Sequence, residues 1–163
     1  MHTPSIAERI AFGRPLDDTI DAPVRVAERS TTALIGRILI GAIFLVSGIA
    51  KLTDTSGTVG YMTAAGIPYA HTLAIVAGCC EVAGALGLIF GCLTRLAALG
   101  LFLFLIPTTL VFHGFWMFEG AEQKLQMVNF MKNLAIMGGL ATVFAFGPGR
   151  FSIDNKIRAP IQP

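Results

Sequence analysis

The sequence predicts an all-α protein, specifically an integral membrane bundle of four helices. Only 13% of its 163 residues are charged and 54% are hydrophobic, whereas a soluble domain usually has about 25% charged residues. The apolar residues form four unbroken runs of roughly membrane-spanning length, without the alternation of a barrel strand. Because a backbone in lipid must satisfy its own hydrogen bonds, the runs are predicted to be helices.

The four runs follow one another with short connections, as in an antiparallel bundle. The first spans residues 33–50 and the second residues 72–91. The third begins at residue 96 and ends at residue 112, or at residue 118 if its aromatic extension is included. The fourth spans residues 127–146 and ends before a Gly-Pro-Gly helix stop.

These runs divide the chain into three predicted parts. Residues 1–32 mix arginines with acidic residues and lack the early apolar core of a signal peptide, so they are predicted to be a polar cytoplasmic tail. Residues 33–147 form the predicted four-helix membrane domain. Residues 148–163 form the predicted C-terminal cytoplasmic tail.

The distribution of Lys and Arg predicts the orientation. Eight of them fall on the side shared by both termini and three on the other side, which predicts that both termini are cytoplasmic. The eight are Arg9, Arg14, Arg25, Arg29, Arg95, Arg150, Lys156 and Arg158, and the three are Lys51, Lys124 and Lys132.

Glu81 is the single charge in the stretch 72–93. On a helix it shares its face with small residues, which allow close helix packing in a membrane. These are Ala74, Ala77, Gly78, Gly84 and Ala85. Glu81 is therefore predicted to point into the bundle.

The first run also has one predicted inward face. It consists of Arg37, Gly41, Phe44, Gly48 and Lys51. An unpaired charge at the bilayer centre costs about 2.5–3.5 kcal/mol, so Glu81 needs a partner or a proton. Arg37 is the preferred partner, ahead of Lys132, and Lys51 is placed at the outer face, too far away. The buried carboxylate is either a structural ion pair, a functional group or a neutral acid.

His113 and Trp116 form a candidate edge of a quinone site near the outer membrane face. A neutral imidazole beside the aromatic residues Phe115, Trp116 and Phe118 can hydrogen-bond a quinone carbonyl. The alternative is an ordinary amphipathic residue at the membrane interface.

Other chemistry finds little support in the sequence. Cys79, Cys80 and Cys92 form no C-x-x-C pair, the histidines are scattered, and no metal site is predicted. The pattern contains no ligand set for haem, flavin or an iron–sulfur cluster, and no basic cluster typical of nucleic-acid binding. No catalytic residue is assigned, and whether the chain is an enzyme stays open.

Several motifs in order resemble the DoxX family. They are R-x-x-x-G-x-x-F-x-x-x-G-x-x-K from Arg37 to Lys51, EVAGALGLIFGCLTRLAAL (81–99), FHGFW (112–116), KNLAIMGGL (132–140) and FGPGRFSID (146–154). The resemblance covers residues 33–154 and implies a four-helix protein of the bacterial inner membrane. Some members of this family are subunits of thiosulfate:quinone oxidoreductase, and others associate with redox or sulfur-stress proteins. The matching positions to inspect are Arg37, Lys51, Glu81, His113 and Lys132.

Two functions are compatible with these observations. The first is a small subunit of a quinone-linked redox complex in the membrane, with quinone as its ligand and other redox subunits as its partners. The second is a non-catalytic structural or assembly subunit that packs against a larger respiratory or photosynthetic membrane complex.

Overall fold

The computed structural model describes residues 18–158, which form a bundle of α-helices. The helices are α1 (Asp18–Thr53), α2 (Thr55–Ala64), α3 (Ala70–Phe90), α4 (Thr94–Phe112), α5 (Gly120–Phe146) and α6 (Ile153–Arg158), with a short 3-10 helix at Phe115–Met117. Helices α1, α3, α4 and α5 contain segments long and apolar enough to cross a membrane. The predicted all-α membrane bundle is confirmed.

Two long helices extend beyond the apolar runs. Helix α1 begins at Asp18 and not at residue 33, so part of the predicted polar tail is helical. Residues 1–17 of that tail lie outside the described residues. Helix α5 begins at Gly120 and not at residue 127, and its first turns carry polar side chains. Hydropathy marks only the apolar part of each helix, which explains both differences.

The predicted loop between the first two spans contains helix α2. The carboxylate of Asp54 caps this helix by accepting hydrogen bonds from the Gly57 backbone N–H at 3.1 Å and from the Ser56 hydroxyl at 2.9 Å. These two hydrogen bonds lower the pKa of Asp54. The cap turns the chain directly from α1 into α2, so that α2 packs on α3 at this end of the bundle. We call this end, where α1 ends and α3 begins, the far end.

Helices α1 and α3 make the closest contact in the bundle. A Cβ atom at Gly48 would lie 2.9 Å from the Gly78 carbonyl oxygen, and one at Gly41 would lie 3.1 Å from the Ala85 carbonyl oxygen. The predicted inward face of α1 is therefore confirmed, since its glycines meet the small-residue face of α3. The apolar core continues from this contact to α4 and α5. It includes Phe44, Ala85, Leu88, Ala98, Leu101, Leu105 and Leu140.

The C-terminal segment is fastened to the end of the bundle opposite the far end, which we call the terminal end. The carboxylate of Asp154 accepts hydrogen bonds from the backbone N–H groups of Leu93 and Thr94, at 2.8 and 2.9 Å, and from the Thr94 hydroxyl at 2.7 Å. The Asp154 backbone N–H donates to the Gly91 carbonyl at 2.8 Å. Asp154 thus caps α4 from a distant part of the chain, because the first N–H groups of a helix have no partner within it.

Replacing Asp154 with Ala is expected to destabilise the bundle by about 1 kcal/mol, the usual cost of losing a helix N-cap. The free energy of unfolding can be measured by titrating the protein from mild detergent into sodium dodecyl sulfate. Asn155→Ala is the matched control, because its side chain is exposed. Equal stability of the two variants would show that the carboxylate does not fasten the segment.

Candidate functional site

Lys51 and Glu81 form an ion pair inside the bundle. The ammonium Nζ lies 2.9 Å from Oε2 of Glu81 and 3.1 Å from Oε1, and it also donates to the Ser47 hydroxyl at 2.7 Å. The Glu81 side chain is 5% exposed and that of Lys51 is 25% exposed. An ammonium group has three donors, so the carboxylate and the hydroxyl account for all of them.

The prediction that Arg37 pairs with Glu81 is wrong, as is the placement of Lys51 beyond its reach. A helical side chain leans towards the N-terminus of its own helix. Since α1 and α3 are antiparallel, Lys51 leans towards the centre of the bundle and Glu81 leans to meet it. Glu81 lies level with Gly48, one turn from Lys51. The spacing of residues along each helix does not include this lean.

The same lean carries Arg37 away from Glu81, towards the terminal end. Its side chain is completely buried. Nη1 donates to the Leu88 carbonyl at 2.9 Å and Nη2 to the Phe151 carbonyl at 2.5 Å. Arg37 therefore joins α1 and α3 to the C-terminal segment and belongs to the structural junction there.

The ion pair borders two adjoining cavities in the far half of the bundle. The inner cavity has a volume of about 180 Å³ and the outer cavity about 510 Å³. Four residues line both: Ser47, Lys51, Thr108 and His113. Glu81, Lys132 and Asn133 add polar groups to the inner wall, and Asp54, Thr58 and Tyr61 add them to the outer wall. We call the two cavities together the polar cavity.

His113 is held by a chain of hydrogen bonds from α5. Its Nδ1 lies 2.8 Å from Oε1 of Gln126, and Nε2 of Gln126 donates to the Glu122 carboxylate at 2.6 Å. Gln126 is buried, whereas Glu122 is exposed. The first turns of α5 thus set the position of the imidazole on the cavity wall.

Trp116 does not share the cavity with His113. It is 56% exposed and packs edge-on against Phe115 and Phe130, with ring centroids 5.3 and 5.8 Å apart. Neither cavity has Trp116 on its wall. Trp116 therefore lies outside the polar cavity, because the 3-10 turn after α4 directs the indole outward.

Lys132 lies at the edge of the inner cavity, without contacting Glu81. Its ammonium donates to Oδ1 of Asn129 at 3.0 Å, and its side chain is exposed. The predicted alternative pair of Lys132 with Glu81 is therefore absent among the described contacts. The cavity wall thus carries one ammonium that is neutralised by a carboxylate and one that is not.

Sequence reasoning missed several polar residues of the site. Gln126, which positions His113, preceded the predicted start of the fourth helix. Tyr61 lies in the predicted loop, where its ring stacks on Phe112 with centroids 5.3 Å apart. Buried Asn133 donates to the Thr109 hydroxyl at 3.0 Å and ties α5 to α4. The helical spacing of Glu122, Gln126 and Asn133 was the available signal.

No metal cluster forms in the described part of the chain. Among residues 30–158, whose side chains the structure describes, no three His, Cys, Asp or Glu side chains come together to hold a metal ion. The three cysteines are exposed and unpaired. The described cavity walls carry hydrogen-bonding and charged side chains.

Four apolar helices around a polar cavity and a lysine–glutamate pair define a small multi-pass membrane protein. The family model for DoxX matches residues 32–114. The chain belongs to the DoxX family, which confirms the resemblance of its motifs.

Two relatives from Escherichia coli (strain K12) match most of the chain. Inner membrane protein YphA is 33% identical over 130 residues, which cover 80% of this chain and 93% of the relative. Inner membrane protein YqjF is 38% identical over 125 residues, which cover 76% and 90%. No solved structure matches the chain significantly.

Single replacements in the ion pair are expected to destabilise the protein more than the double replacement. Lys51→Met leaves the carboxylate of Glu81 unpaired, and breaking a buried pair costs about 3–5 kcal/mol. Because Lys51 is partly exposed, we expect a loss near the lower end of that range. The combination with Glu81→Gln should recover at least half of this loss, as measured by unfolding in detergent.

Lys132→Met is the control for the removal of an ammonium from the cavity wall. Since Lys132 contacts an amide and no carboxylate, its loss should cost less than 1 kcal/mol, as for an exposed pair. A double variant of the ion pair that is as unstable as the sum of its singles would contradict the coupling.

Proposed function

We propose that the chain is a small subunit of a quinone-linked redox complex in the bacterial inner membrane and binds the quinone ring in its polar cavity. The observation that carries the proposal is the position of His113. Its imidazole lies on the wall of both cavities, in the far half of a bundle of membrane-spanning helices. A quinone ring is apolar with oxygens at its edges, and it reaches its protein from the bilayer.

The size and lining of the polar cavity support this ligand. A dry cavity of about 150 Å³ accepts benzene in another protein, so the inner cavity, at about 180 Å³, has room for one six-membered ring. Phe44 lies on the inner wall, and Phe104 and Phe112 lie on the outer wall. The larger outer cavity offers space for ring substituents and the start of an isoprenoid tail.

Electrons would have to come from a partner subunit. Within the described residues the cavity walls carry charged and hydrogen-bonding side chains, and the three exposed cysteines lie elsewhere. The names of the two relatives place those proteins in the inner membrane, which supports the same location here. The other function compatible with the sequence is an assembly subunit without a ligand, which predicts that the purified protein retains no quinone.

Protein purified from bacterial membranes in a mild detergent is expected to retain quinone, which can be extracted with solvent and quantified per chain. His113→Leu should lower the retained quinone and quinol, quantified together, at least tenfold, since it removes a hydrogen-bonding ring from the cavity wall. The matched control is His71→Leu at an exposed position of α3, which should retain as much quinone as the unaltered protein.

Other outcomes would reject the proposal. Equal retention by the two histidine variants would mean that the quinone lies elsewhere. Absence of quinone, together with a stoichiometric membrane protein in the same preparation, would favour the assembly subunit.

We further propose that both termini face the cytoplasm, on the basis of the excess of Lys and Arg at the terminal end. A chain with its three cysteines replaced by Ala can carry one new cysteine at Glu119 or at Asn155. A membrane-impermeant thiol reagent applied to the periplasmic side should label Glu119→Cys and spare Asn155→Cys. The reverse pattern would contradict this orientation and place the polar cavity on the cytoplasmic side.

A further inference from the structure

The chain of hydrogen bonds behind His113 specifies which of its ring nitrogens carries the proton. An ionised carboxylate accepts hydrogen bonds and donates none. The exposed carboxylate of Glu122, 2.6 Å from Gln126, therefore requires the NH₂ group of the Gln126 amide on its side. The amide oxygen then faces His113, so Nδ1, at 2.8 Å, must donate to it.

A neutral imidazole with its proton on Nδ1 has a lone pair on Nε2. Nε2 of His113 has no hydrogen-bond partner in the described part of the chain, and it is not enclosed. Gln126 lines neither cavity, whereas His113 lines both. The ring thus turns Nδ1 towards α5 and leaves its other edge, with the acceptor Nε2, for the polar cavity.

A second acceptor lies on the same wall. The Thr108 hydroxyl gives its proton to the Phe104 carbonyl at 2.9 Å, so its oxygen can only accept from a ligand. Lys51 has all three donors engaged by Ser47 and Glu81. Donors are also present on the described walls: Lys132 at the edge of the inner cavity, the Ser47 hydroxyl, which accepts from Lys51, and the second amide N–H of Asn133.

We propose that the polar cavity is built for a ligand that donates hydroxyl hydrogen bonds, namely a quinol, and that Gln126 and Glu122 are positioning residues that create this preference through His113. The inference rests on the proposed function and identifies the redox form that the site prefers. A quinol hydroxyl can donate to His113 or Thr108 and can also accept from Lys132. A quinone carbonyl can only accept, so it makes no hydrogen bond to either acceptor.

The tautomer of His113 can be measured without any ligand. The unaltered protein, labelled with ¹⁵N-histidine in detergent micelles, should show a pyrrole-type nitrogen at Nδ1 and a pyridine-type nitrogen at Nε2 of His113. The signals of His113 are those that are missing from the spectrum of His113→Gln. Gln126→Met should abolish the preference for a proton on Nδ1. The matched control is Gln123→Met, an exposed glutamine on the same helix, which should leave the spectrum unchanged.

The ligand preference requires a separate titration under anaerobic conditions. A decyl-tailed benzoquinol should bind about tenfold more tightly than its dimethyl ether or the corresponding benzoquinone, as expected for one hydrogen bond. Thr108→Val should weaken binding of the quinol several-fold and leave binding of the ether unchanged. Thr142→Val is the matched control, because its hydroxyl also donates to the carbonyl one turn earlier but lies outside the polar cavity.

The two measurements separate the possible failures. A proton on Nε2 of His113, or a tautomer insensitive to Gln126→Met, would overturn the positioning role whatever binds. Equal affinity for the quinol and its ether would overturn the ligand preference and leave the proposed function intact. If none of the three rings binds, the proposed function fails together with the quinol assignment.

Discussion

The architecture depends on one constraint, that a charge placed at membrane depth must have a partner within the protein. Glu81 meets this constraint through Lys51, and the pair forms only because Gly48 and Gly78 let α1 and α3 approach closely. The contact also fixes the register of the two helices. The lysine, held by Ser47 as well, then becomes one wall of the polar cavity, so packing and site share the same origin.

The same constraint operates at the terminal end with different chemistry. Arg37 lies on the same face of α1 but finds carbonyl groups at Leu88 and Phe151. Because one of these carbonyls belongs to the C-terminal segment, the buried guanidinium fastens that segment, and Asp154 caps α4 beside it. The FGPGRFSID motif is thus explained by a structural junction. The two basic residues of one helix face serve opposite ends of the bundle.

Hydropathy and helical spacing were sufficient for the architecture and for the inward faces of Glu81 and Arg37. They were insufficient for the pairing, because the partner depends on the lean of each side chain and on helix register. Applying the known lean of helical side chains to an antiparallel pair would have favoured Lys51. The role of Gln126 depends on a polar turn of α5 that hydropathy excludes from the membrane span, and the role of Asp154 depends on a contact between distant segments.

The ion pair also determines what kind of specificity the cavity can have. Lys51 and Glu81 neutralise each other, and every donor of the lysine is engaged. The pair therefore shapes and polarises the wall without offering a free donor to a ligand. Under the proposed quinol preference, the uncharged groups His113 and Thr108 would discriminate between ligands. The Thr108 hydroxyl donates to the Phe104 carbonyl, and Nδ1 of His113 lies 2.8 Å from Oε1 of Gln126. A buried ion pair can in this way influence the chemistry of a site, because it engages the donors of its own lysine and leaves the contacts with a ligand to the neighbouring polar groups.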